Sequence, residues 1–171
     1  VPLIIKVASI PKERIQVYFI DNDEYFHRTG TLFDEQNQMY PDNDERCIFF
    51  AKGIVETVKK LNWLPDIIHI HGWVSSLLPL YLRTYYKDEP IFSESKIITS
   101  VFDSDYEGTL DSKLINKVAF DGISKKTVDP LKNPTYFNLM RIAVKYSDGV
   151  VVVTEDMPED FHTYLKNVKK P

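Results

Sequence analysis

A chain of 171 residues, 43% hydrophobic and 27% charged, is built like one ordinary globular domain with a real core. A net charge of −4 without a basic block argues against nucleic acid, and no apolar run reaches the roughly 20 residues a membrane span needs. VPLIIKVASIPKER lacks a basic leader and does not read as a secretory signal, while the lone Cys47 fits a reducing, cytoplasmic setting.

In chain order, Leu3–Ala8 and Ile15–Ile20 read as strands around a turn broken by Pro11. About two dozen residues from Ile20 to Asn43 follow without periodicity; so long a stretch inside a domain is functional or disordered. A helix spans Asp44 to Leu61, with Cys47, Ala51, Ile54, Val55, Val58 and Leu61 on one stripe. Asp42, three residues before Glu45, resembles the start of a capping box. Cys47 on that stripe should be an inert core thiol.

Asp66–His71 has the apolar run expected of a strand buried on both faces, ended by Gly72. Side chains two apart share a face, so His69 and His71 lie together, opposite Ile68 and Ile70. A helix over Ser76–Tyr86 follows, with Ser75 as its cap and Pro79 in its first turn. Lys96–Val101 is a strand, Phe102–Gly108 a turn and Asp111–Val118 a short helix, and Ala119–Asn133 is left as a loop. Pro134 opens a helix to about Tyr146. Val150–Val153 is the last strand, and Thr154 caps a helix with Glu155, Asp156 and Glu159 in its first turn.

Strands alternating with helices specify an α/β class with a mostly parallel, Rossmann-like three-layer arrangement, and 1–171 is expected to be a single domain. Ligands of such sheets bind beyond the carboxyl ends of the strands, where His71 and Gly72 stand. His-x-His on one strand face could chelate, but a metal site needs three or four ligands. The remaining candidates, Asp103 and His162, have no diagnostic spacing, so no metal is expected. A free-standing flavodoxin-like or metal-dependent hydrolase domain is the reading from other classes. No G-x-G-x-x-G occurs among the six glycines, which disfavours a nucleotide site and leaves no cofactor expected.

VYFIDNDEYFHRTG, YPDNDERCIFF, PDIIHIHGW with PLYLRTYY, and NLMRIAVKYSDGVVVVTED resemble successive segments of bacterial glycogen and starch synthases, closest to those of Bacteroidetes. The match runs in order from about Val17 to Phe161. The resemblance implies part of the N-terminal lobe of a two-lobe (GT-B) retaining glycosyltransferase. Such an enzyme moves glucose from ADP-glucose or UDP-glucose to an α-1,4-glucan in the cleft between its lobes. It also implies that the family's first strand, its Lys-x-Gly-Gly-Leu loop and the nucleotide-gripping lobe lie outside these residues, so the chain alone should be inactive. With that strand absent, Ile15–Ile20 should either pair with Asp66–His71 or leave an open edge through which the chain self-associates.

By the same resemblance, His71 matches the second histidine of His-x-His-Asp-Trp, against the donor glucose, and His69 supports it from the core. Asp42 and Asn43 match an Asp-Asn facing the cleft, with helix capping as their structural alternative. Asp21 and Asn22 could line the same cleft, with turn formation as the alternative. Gly72 stands where the family has Asp, Phe102-Asp103 where it has His-Asn, and Thr154-Glu155 where it has Ser-Pro. Asp103 could substitute as a sugar-hydroxyl acceptor or cap a turn. These losses raise a second expectation, a glucan-binding lobe that has lost catalysis. Tyr81, Tyr85 and Tyr86 could stack on a glucan or simply pack.

Overall fold

The protein's structure, a computed structural model describing residues 1–171, contains two sheets that share no strand. β1 (Ile4–Ile10) and β2 (Ile15–Asp21) form an antiparallel hairpin paired from Ile4 opposite Asp21 to Ile10 opposite Ile15. Ile5 and Ile20 are half-buried on its inner face, and Ile20 rests on α2 (Asn43–Lys60). A Cβ at Gly53 would lie 2.9 Å from Ile20 Cγ2, so glycine lets helix and hairpin approach this closely. The opposite face of α2 buries Cys47, Ala51 and Val55 in the core, as its stripe requires.

The stretch before α2 lacks periodicity because polar side chains hold much of it, while Leu32 enters the core and Phe33 and Met39 pack against it. Buried Asn22 caps α1 (Asp23–Phe26), accepting from the N–H groups of Glu24 and Tyr25 at 3.0 and 3.1 Å. Its amide also donates to Pro2 O at 2.8 Å. Farther on, Arg28 clasps Asp42 with two guanidinium nitrogens, each at 2.9 Å. Asp42 therefore sits at the N-cap without a side-chain capping bond, and the expected capping box does not form. Glu45, its intended partner, is held by Tyr25 and Lys117.

β3 (Ile67–Ile70), β4 (Lys96–Val101) and β5 (Gly149–Val152) make a parallel sheet in the order β3-β4-β5. α3 (Leu78–Arg83) and α5 (Tyr136–Tyr146) pack together on one side, burying Ile70, Ile97 and Val101. On the other side Ile67 is 62% exposed, Val151 44% and Val153 54%. The expectation that Asp66–His71 is an interior strand buried on both faces is thus corrected. β3 is an edge strand with one face open, and it does not pair with β2. A four-residue run of Ile and His reads alike in either setting; the neighbours decide.

Several boundaries moved for local reasons. A 3-10 turn at Trp73–Ser75 precedes α3, so Ser75 does not cap it; Pro79 does fall in the first turn. α4 is Leu114–Phe120, and part of the unassigned loop forms a 3-10 turn at Asp129–Lys132. α5 begins at Tyr136 and not at Pro134, with Thr135 as its cap accepting from Asn138 N–H at 3.2 Å. α6 (Glu159–Val168) starts after Pro158 instead of at Thr154, because a residue before proline is steered away from helix. Thr154 instead closes a tight turn with Asp156 N–H at 3.0 Å. No helix is long and apolar enough to cross a membrane.

Candidate functional site

His71 follows directly on β3 and projects on the open face together with His69. The two rings lie 4.2 Å apart between centroids, and Phe102 approaches His71 at 5.8 Å. His69 is exposed rather than core, yet its Nε2 lies 2.8 Å from Ser100 Oγ, which is buried on the next strand. Local burial, with His71 adding to it, lowers the His69 pKa, so this ring is neutral at neutral pH. His69 thus lies beside His71 as a neighbouring surface ring and not in the core. His71 is exposed, and none of the principal cavities includes it; within these residues the expected crevice has no second wall.

The other expected residues divide. Asn43 is 1% exposed, donating to Leu32 O at 3.0 Å and accepting from Arg46 Nη1 at 2.6 Å. Both ends of its amide are engaged within the scaffold. Asp42 is half-buried by its pairing with Arg28. Gly72 has φ 71° and ψ 172°, a conformation essentially reserved for glycine. Asp103 is exposed and bonds no protein group, whereas the next acid, Asp105, accepts from Trp73 N–H at 3.0 Å. No group of three or more His, Cys, Asp or Glu side chains is gathered to hold a metal.

Residues 2–166 match the profile of the starch synthase catalytic domain. The chain belongs to that family. Glycogen synthase of Chlorobium limicola is 39% identical over 121 residues, covering 70% of this chain and 25% of the relative. Glycogen synthase of Chlorobaculum parvum is 34% identical over 155 residues, covering 88% and 30% respectively. The solved catalytic domain of Starch Synthase IV from Arabidopsis thaliana, bound to ADP and acarbose, shares the fold with a TM-score of 0.61 at 18% identity. That match covers 86% of this chain and 29% of the solved one. The chain thus spans about a quarter to a third of these relatives' length.

In this starch synthase family member, two site-adjacent residues escaped sequence reasoning. Arg46 is 4% exposed, with its guanidinium 5.3, 5.7 and 5.9 Å from the rings of Phe26, Tyr40 and Trp73. It links the first turn of α2 to the end of β3, and with Arg28, Lys6 and Trp73 it borders a cavity of about 740 Å³. Its spacing of three from Asn43 was the available signal. Asp105 gave none, being one of three acids in the turn Phe102–Gly108. Of the aromatic trio, Tyr81 and Tyr86 are packed, Tyr81 with its hydroxyl donating to Asp121 at 2.6 Å, while Tyr85 meets Tyr86 edge-on and is half exposed. A larger cavity of about 890 Å³ lies between α2 and α4, bordered by Tyr25, Phe49, Lys52, Lys117 and Phe120.

Proposed function

We propose that these residues are one α/β unit within the N-terminal lobe of a cytoplasmic glycosyltransferase. The enzyme transfers glucose, with retention, from ADP-glucose or UDP-glucose to the end of an α-1,4-glucan. The observation that carries this reading is His71, an imidazole at the carboxyl end of a parallel strand in a chain matched by the family over nearly its whole length. That a family relative of the same fold was solved with ADP and acarbose supports a nucleotide sugar and a glucan as ligands here.

As the bond to the nucleotide breaks, the sugar ring gains positive character and the phosphate negative charge. Catalysis then rests on stabilising those charges more than on moving protons. His71 lies against the glucose, while a second lobe neutralises the phosphate and closes to exclude water. The 171 residues alone, with His71 open to solvent, make no product. In the full-length protein, His71→Ala should lower transfer about 100-fold or more; unchanged transfer removes the residue from the site.

A second reading, a lobe that binds glucan without catalysis, is favoured by Gly72 and Phe102. They stand where the resemblance carries an acid and a histidine. Full-length protein that binds glucan but makes no product from either sugar nucleotide would establish it.

For the isolated chain, the open side of the sheet supports association with a second copy. Parallel sheets are normally covered on both faces, and β3 has an unpaired outer row of backbone groups with no Lys or Pro to guard it. The surface is 10043 Å² for 19.9 kDa. A finished monomer of that mass has about 8,700 Å², and the excess of about 1,400 Å² is on the scale of a stable interface. Sedimentation should show dimers at micromolar concentration, and Ile67→Lys should return monomers of unchanged melting temperature. A wild-type monomer at about 200 μM contradicts this reading.

A further inference from the structure

The turn that carries His71 is tied down by side chains from both sides. Ser75 Oγ donates to His71 O at 2.6 Å and to Gly72 O at 3.3 Å. Trp73 O accepts from Ser76 Oγ at 2.6 Å, and Trp73 N–H donates to Asp105 Oδ2 at 3.0 Å. Three of these four bonds come from the turn's own next residues. The fourth spans 32 positions and is the only one made by an ionisable group.

Asp105 brings a carboxylate to a turn whose residue 72 carries no side chain. Gly72 adopts backbone angles that exclude a side chain without strain, and a Cβ built there would fall 3.5 Å from Asp105 Oδ2. The carboxylate therefore lies over the bare α-carbon. Its neighbour Tyr106 anchors it, being 5% exposed and edge-on to both Trp73 and Tyr136, with ring centroids 6.4 and 6.1 Å away. The Tyr106 hydroxyl donates to Pro134 O at 3.1 Å. No other protein group bonds Asp105, so holding the Trp73 N–H is its one structural contact of this kind.

We propose that Asp105 is a positioning residue of the site, whose carboxylate fixes the Gly72–Trp73 turn and through it the direction of the His71 imidazole. Its importance for transfer rests on His71 touching the sugar, as proposed above; the tie itself does not. Asp105 is exposed as a residue, but partial shielding of its carboxyl raises its pKa, with the Trp73 N–H opposing, so protonation loosens the tie at a higher pH than for an ordinary aspartate.

The test is amide and side-chain NMR on this chain. The Trp73 amide should move as the pH falls through the Asp105 titration. Asp105→Asn should abolish that movement while keeping the His71, Gly72 and Trp73 resonances near their native places. Asp105→Ala should shift all three and weaken the proton contacts between the His69 and His71 rings. A Trp73 amide blind to pH, or ring contacts unchanged in Asp105→Ala, overturns the proposal.

In the full-length protein, Asp105→Ala should lower kcat about 100-fold with little change in KM, the cost of a misdirected group, and Asp105→Asn should restore most of it. If His71→Ala abolishes transfer while Asp105→Ala leaves kcat intact, the Asp105 proposal falls alone. If His71→Ala leaves transfer intact, the sugar reading falls and the amide titration still decides the tie.

Discussion

Lys117→Met is the sharpest test of how the helices are held. Asp44, in the first turn of α2, has a side chain with no exposure, and the Lys117 ammonium from α4 lies 2.6 Å from its Oδ2. That approach is off the direction a good hydrogen bond needs, so the contact is chiefly charge on charge. Lys117 also reaches Glu45 Oε1 at 2.7 Å. Removing one partner of a buried pair costs about 3–5 kcal/mol. Two features reduce this: Lys117 is 29% exposed, and Asp44 keeps the Glu45 N–H at 2.8 Å and a helix N-terminus. The expected loss is about 2–3 kcal/mol at pH 7, or about 5–10 °C in Tm for a chain of this length.

The pH dependence supplies the refutation. Burial raises the Asp44 pKa despite the opposing Lys117, so the folded state binds this proton more tightly than the unfolded chain. Its contribution to stability falls as pH rises from the ordinary aspartate value through the raised one. Without Lys117 that window extends upward. Melting curves of wild type and variant should therefore differ most at pH 7 and converge toward pH 4. A gap within 1 °C at pH 7, or one that widens in acid, would falsify the assignment of Asp44 as a buried, ionised partner.

Two further outcomes follow from particular contacts. Asp42→Ala and Arg28→Ala should each cost about 1 kcal/mol in urea unfolding, and the double variant little more. Fully additive losses would mean that Asp42 works as a helix cap after all. The Cys47 thiol, fully buried with its pKa pushed far up by burial, should not react with a disulfide reagent at pH 8 until urea unfolds the chain. Rapid labelling of the native protein would place it outside the core.

The family was legible because its segments occur in order along the chain, each carrying local chemistry that survives without coordinates. Polar side chains were read least well. Asp42 has the spacing of a cap, and only the folded chain brings Arg28 to take its carboxylate. Asn43 looked like a cleft residue, and only packing shows its amide closed between Leu32 and Arg46. The sequence marked position 72 as lacking an acid; tertiary structure put the Asp105 carboxylate beside it from the loop after β4.

Local rules acting over a few residues determined the strands, the longer helices, the α/β class and the place of His71 at a strand end. Tertiary structure alone decided that β3 is an edge, that one side of the sheet is open and that His69 and His71 stand in solvent. Periodicity records which residues share a face. What covers that face depends on elements distant in sequence, and no local pattern encodes them.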